Sequence, residues 1–365
     1  MHKTNPISKE QTPMTDVYKR LAKHLDNLPA GFPETESGVE LRILERLFTK
    51  EEAETALLLS MIPETSEQVA ARTGQDKDKL EKILYDMSKK GLVYRAGKGS
   101  INQYSAAQFV IGIWEYNVNN LTPELIKDVN EYLPHLMTKS WVKQKTKQLR
   151  IVPVSKSISA EIKVMPYEIA EEIVNSQSKI VVAPCICRRE HEMVGKGCGK
   201  MAEACLIFGG GAFFYEQNGL GRTIDKKEAL EILEKGLEDG LVLQPGNSKK
   251  PTNICMCCGC CCQVLKNLGA LDEPAKVVLS NYYAEIDAEA CIGCGVCEDR
   301  CQMKAITVDG TAVVDLNRCI GCGICVPKCE VDAISMRQKQ EEPLYEPPNT
   351  VVDTYMNIAI ERGLL

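Results

Sequence analysis

The 365-residue chain has no cysteine before Cys185 and none after Cys329. No apolar run comes near the ~18 residues that read as a membrane-spanning helix. The opening Met1–Pro6 lacks the apolar stretch of a secretory signal. There is no Gly-x4-Gly-Lys-Ser/Thr loop, no Gly-x-Gly-x2-Gly fingerprint and no nucleophile elbow. Nothing therefore speaks for nucleotide-dependent or hydrolytic work, and a flavin or nicotinamide would have to sit on a partner. Neither charge dominates: 44 Lys+Arg stand against 50 Asp+Glu, a net charge of −6. That excludes a broad electrostatic grip on nucleic acid or on an anionic membrane. A soluble protein of two to four units is expected, in a reducing cytoplasm.

What is present is 18 cysteines, all in the second half. A secreted disulfide scaffold would be short and cysteine-dense throughout. Clustered thiols in a long, unexported chain point instead to metal or redox chemistry. The hydrophobic share of 44% supplies material for real cores.

The pattern along the chain predicts an α+β multidomain protein. Residues 1–40 form an N-terminal arm with one amphipathic helix over Asp16–Leu28. Residues 41–105 predict helices over Glu51–Met61, Thr65–Thr73 and Asp78–Lys90, then a hairpin from Leu92 to Ser105. Three helices and a two-stranded wing resemble the winged-helix family, whose usual role is DNA binding. Residues 40–98 carry 11 basic and 11 acidic residues, however, and a DNA reader shows a basic face. A packing or protein-docking module is the expectation, and nucleic acid is not.

Residues 106–150 predict a helical connector, with helices over Phe109–Asn117 and Pro123–Leu136. Its basic run Lys139–Arg150 reads as a solvated face, or else as a patch for an acidic partner. Residues 151–282 form a cysteine-rich, mixed α/β middle domain. There Ile158–Val164 and Lys179–Ala183 read as strands, and Tyr167–Asn175 and Asp225–Asp239 as helices. Residues 283–338 are an internal duplication, and 339–365 a Pro-punctuated tail ending in a helix over Asp353–Arg362.

The duplication carries the strongest signal. A shift of 28 places Cys291, Cys294, Cys297 and Cys301 on Cys319, Cys322, Cys325 and Cys329. A cubane [4Fe–4S] cluster needs four thiolates, and three at spacing three on a tight loop reach three corners. Gly293, Gly295, Gly321 and Gly323 suit loops that wrap closely around a cluster. Zinc also takes four thiolates, but its structural sites pair two knuckles rather than duplicate a three-thiol run. The segment resembles a bacterial-type two-cluster ferredoxin. The resemblance implies one cluster on Cys291, Cys294, Cys297 and Cys329, and another on Cys319, Cys322, Cys325 and Cys301. Where that family has proline after the fourth cysteine, Gln302 and Glu330 stand here.

Ten further thiols are candidate metal ligands: Cys185, Cys187, Cys198, Cys205, Cys255, Cys257, Cys258, Cys260, Cys261 and Cys262. Adjacent residues point to different sides, so six cysteines between 255 and 262 cannot share one centre. Two sets of four would leave two thiols over. One or two additional iron–sulfur clusters are expected here, with zinc or plain reduced thiols as alternatives. Arg188 and Arg189 would balance an anionic cluster, or simply lie on the surface. His191 reads as a surface residue and stays unassigned.

These features, with the Gly219–Arg222 stretch and the opening His24–Pro33, resemble a large group of uncharacterised 4Fe–4S-binding proteins of anaerobic bacteria and archaea. The resemblance implies a class and no particular substrate. Electron transfer to or from a redox partner protein is the leading expectation. A reductase with its active cluster in the middle domain, or a redox-sensing winged-helix regulator, are the alternatives.

Overall fold

The computed structural model describes residues 16–365 except 99–100, 160–161, 163 and 341–342. The chain begins with α1 (Asp16–Asp26), α2 (Val39–Leu47), α3 (Lys50–Ala56), α4 (Ser66–Thr73) and α5 (Lys77–Lys89). Sequence sets these helices locally. Thr49 and Thr65 close capping boxes with Glu52 and Gln68, Asp76 caps α5, and Gly74 ends α4 in the left-handed region. The helix expected to reach Met61 stops at Ala56. Leu58 and Leu59 turn on shorter bonds, and the Ser60 carbonyl accepts the Ala106 N–H at 2.7 Å. β1 (Val93–Lys98) and β2 (Ile101–Ala106) pair antiparallel, with Val93 opposite Ala106.

The helix expected over Phe109–Asn117 is broken. Val110, Ile111 and Gly112 are not helical, and one turn remains, α6 (Trp114–Tyr116). Side chains take over the freed backbone groups: Gln148 donates to the Val110 carbonyl at 2.9 Å, and Glu115 accepts from Gly112 N–H at 2.8 Å. α7 (Pro123–Leu136) follows, capped by Thr122. The basic run is not a solvated face throughout. Lys147 and Arg150 are buried, and Lys147 donates to the carbonyls of Trp141, Val142 and Gln144.

The middle of the chain runs through α8 (Ala170–Asn175), β3 (Ile180–Pro184), α9 (Ile186–Met193), β4 (Glu203–Phe208), α10 (Gly209–Gln217), β5 (Arg222–Ile224), α11 (Lys226–Glu238), β6 (Val242–Pro245), β7 (Asn253–Cys257) and α12 (Gln263–Gly269). Five strands form one antiparallel sheet in the order β5-β3-β4-β7-β6. This sheet divides two cores. Ile180 and Val182 face the core that includes α8 and α11. Val181 and Ala183 face the core shared with the N-terminal helices, Phe109 and Trp114. Burial on both faces explains why β3 reads as a continuous apolar run. Asp225 caps α11 as its sequence predicts, but Glu228 does not reach back; its carboxylate pairs with Arg222 at 2.7 Å. The strand expected over Ile158–Val164 falls partly outside the described residues.

The β1–β2 hairpin is committed to this sheet's neighbour α10. Tyr94 and Phe214 stack with centroids 5.0 Å apart, and buried Arg95 reaches Gln217 and Asn218.

The duplicated segment contributes β8 (Tyr282–Ile286), α13 (Val296–Arg300), β9 (Ile306–Asp309), β10 (Thr311–Val314) and β11 (Ile334–Gln338). β8 pairs with β11 and β9 with β10. The backbone repeats like the sequence. Asp287 N–H donates to Ala333 O and Asp315 N–H to Ala305 O, at 2.8 and 2.7 Å. Lys304 and Asp332, again 28 apart, share a φ of 51°. The segment is fixed to the sheet's underlying core through Met303, Ala305, Ile320 and Ile324. Arg318 clamps it, donating to Met303 O, Leu271 O and Gly269 O at 2.8–2.9 Å. Arg318→Ala leaves three carbonyls without this donor and costs about 2–3 kcal/mol. A thermal midpoint several degrees below wild type checks this. α14 (Val351–Glu361) crosses back to the N-terminal part, where Arg362 meets Asp26 at 3.2 Å. Among the described residues, no helix is long and apolar enough to cross a membrane.

Candidate metal centres

The two cysteine runs curl into two small hollows. One is lined by Cys291, Cys294 and Cys297 with Cys329, the other by Cys319, Cys322 and Cys325 with Cys301. Each hollow thus takes three thiols from one run and the fourth from the other. Backbone amides point at the sulfurs. Ala312 N–H lies 3.3 Å from Cys291 Sγ, and Ala284 N–H, its counterpart 28 residues earlier, lies 3.4 Å from Cys319 Sγ. Ala305 N–H is 3.1 Å from Cys301 Sγ. Such donors stabilise thiolate charge. All four loop glycines have positive φ. At Gly293 and Gly321 the need is steric as well, because a Cβ would run into the carbonyl oxygens of Gly310 and Tyr282.

The duplicated halves differ in surroundings. Cys294 is exposed, with Ile292 65% and Val296 41% exposed beside it. Cys322 and Cys325 lie against the interior, and burial pushes the Cys322 thiol up to about 12 and raises that of Cys325 as well. Gln302, in the place of the usual proline, accepts the Gly259 N–H at 2.7 Å and so ties the hollow at Cys301 to the cysteine-rich turn. A Cβ at Gly259 would lie 2.6 Å from the Gln302 carbonyl oxygen. Gly259→Ala is therefore expected to shift the turn and loosen this contact, read as a lower thermal midpoint.

The ten other thiols separate into four and six, not into two fours with a remainder. Cys198, Cys258, Cys260 and Cys261 converge, with all four sulfurs within 4.8 Å of one another. Cys185, Cys187, Cys205, Cys255, Cys257 and Cys262 instead line a cavity of about 330 Å³. Strand geometry explains three of the six. Cys255 and Cys257 are two apart on β7 and share a face, while Cys205 on β4 sits directly opposite Cys255. Hydrogen bonds from Cys187 and Cys257 favour the Cys262 thiolate, and those from Cys205 and Cys257 favour that of Cys255.

Arg188 is buried between the groups and donates to Met201 O and Met256 O at 2.9 and 2.7 Å. Burial disfavours its charge, yet nearby Cys185, Cys258 and Cys257 raise its pKa. Arg189 pairs outward with Asn119. His191 is buried rather than on the surface, its Nδ1 2.8 Å from the Cys187 carbonyl oxygen.

Sequence reasoning missed the cavity's other wall. Trp114, Glu115 and Tyr116 from the connector and Tyr355 from the tail line it. Burial pushes Glu115 up to about 8, against the Gly112 N–H that it accepts. The Trp114 Nε1–H and the Arg188 Nε–H are buried without protein partners. The available signal was a single glutamate ending the apolar run Phe109–Trp114. Glu190 is similarly pushed up by burial, to about 7, although Gln263 and Asn130 donate to it.

Two stretches, residues 284–307 and 312–335, match the 4Fe-4S binding domain family. Each contains one complete cysteine run. This part of the chain is a ferredoxin-type iron–sulfur module, and the paired motifs suggest electron transfer. No curated protein and no solved structure matches the chain.

Proposed function

We propose that the protein carries electrons through two [4Fe–4S] clusters, one held by Cys291, Cys294, Cys297 and Cys329 and the other by Cys301, Cys319, Cys322 and Cys325. The exchange of the fourth cysteine between the two hollows carries this reading. Bound there, such a cluster supplies reversible one-electron transfer. The chain holds eight thiolates, aims the amides of Ala284, Ala305 and Ala312 at sulfur, and keeps one site more exposed than the other. A redox partner protein reaches the module at the exposed edge around Ile292, Cys294 and Val296. The six thiols of the cavity hold a further iron–sulfur cluster. Residues 41–105 serve as a winged-helix-like packing module. Basic side chains of α5 support this over DNA reading, since Lys79 pairs with Glu51 and Lys82 with Asp86.

Anaerobic purification with iron and acid-labile sulfide counts tests the reading. About 8 irons belong to the module, and about 4 or more beyond that to the cavity. Colourless protein with zinc and no labile sulfide would end it.

The cavity favours a second reading, a reductase. Six thiols, an acid that holds its proton near neutral pH and an indole N–H without a partner surround one space. An open iron position in that space would bind a small anion. If cyanide shifts the low-temperature EPR signal of the additional cluster, the reductase reading stands. An unchanged signal leaves the cavity as a relay.

A further inference from the structure

We propose that Cys198, Cys258, Cys260 and Cys261 hold a single tetrahedral metal ion and not an iron–sulfur cluster. The argument is one of size. Four thiolates at about 2.3 Å from one ion stand about 3.8 Å from each other. A cubane places each thiolate on a different iron, so its thiolate sulfurs are spread to roughly 6 Å. Here all four sulfurs lie within 4.8 Å of one another, and those of Cys260 and Cys261 are 3.8 Å apart. The spacing suits one ion and is too tight for a cube. A disulfide is excluded in turn, since it needs sulfurs at about 2 Å.

The surroundings supply what a tetrathiolate site requires. Four thiolates on a divalent ion carry a net charge of −2, and a buried charge needs a counter-charge. Arg188 is buried, lies near Cys258, and has an Nε–H with no protein partner. The Arg188 guanidinium supplies that counter-charge beside the four sulfurs. With four protein ligands the site is closed, the mark of a structural rather than a catalytic ion. When the ion binds, four S–H protons pass to water as four metal–sulfur bonds form, and nothing is oxidised.

The ion would clasp the loop before β4 to the turn after β7. That turn joins Cys257, at the end of β7, to Cys262, and both line the cavity, so the clasp positions ligands of the neighbouring site without joining it. Zinc and a lone iron share this chemistry, and the experiment separates them.

The test uses the full chain, purified without oxygen, with zinc, iron and labile sulfide counted in wild type and in Cys260→Ser. Cys260 is the exposed member of the four, so its hydroxyl replacement is tolerable to the fold. The expected result is the loss of one metal ion per chain with labile sulfide unchanged; which metal leaves identifies the ion. Loss of about four irons with about four sulfides would mean a cubane and overturn the proposal. So would an unchanged metal content. Cobalt(II) gives an independent reading: cobalt-loaded wild type should show the strong red absorption of a tetrahedral tetrathiolate, and Cys260→Ser should lose it. Because the readout is a metal lost without sulfide, it stays separate from the sulfide of the ferredoxin-type module.

Discussion

Cys301→Ala should empty the site of the opposite run. Cys301 closes the first run in sequence, but it lines the hollow of Cys319, Cys322 and Cys325. Its removal is expected to cost about 4 irons, with the same EPR signal lost as in Cys319→Ala. The double variant Cys301→Ala/Cys319→Ala should lose no more than either alone, since both act on one site. Pairing Cys301→Ala with Cys291→Ala should instead cost about 8 irons. If the Cys301 and Cys291 variants lost the same signal, each run would serve its own site and the crossed assignment would be wrong. Iron content and low-temperature EPR on the anaerobic proteins decide between these outcomes.

Gly321→Ala is expected to be among the most damaging small substitutions in the chain. Its φ is +71°, and a Cβ would run into the Tyr282 carbonyl oxygen. The left-handed backbone alone costs a non-glycine residue about 1–2 kcal/mol, and displacing a strand carbonyl adds about 1–3 kcal/mol. The sum is a loss of about 2–5 kcal/mol and poor iron retention. Gly295→Ala is the control. Its φ is +80°, yet no atom lies within 4 Å of the added carbon. It should cost only about 1–2 kcal/mol and keep its iron. Equal thermal midpoints for the two variants would show that the close approach to Tyr282 does not matter.

Much of this was legible in the sequence for a physical reason. Caps and breakers act within a few residues, so Thr65, Gly74 and Asp225 placed helix ends correctly. The duplication was legible because three thiols at spacing three on a glycine loop have few other uses. What failed depended on distant partners. Phe109–Asn117 has helical spacing, but Gln148 and the Glu115 side chain take its backbone groups instead. Lys147 and Arg150 looked solvated, though backbone carbonyls bind them inside. The division of ten thiols into four and six could not be read along the chain, because it depends on β4 lying beside β7. Nor could the cavity, whose walls come from many stretches far apart in sequence.

The docking of the module has a consequence that its repeats alone could not produce. Two copies of one motif, related by a shift of 28, have no built-in direction. Arg318 and the apolar residues beside it press one hollow against the protein and leave the other facing water. Identical ligand sets then experience different dielectric surroundings, and a charge added to one is not equivalent to a charge added to the other. Asymmetric packing thereby gives a head and a tail to a tandem that was born without either.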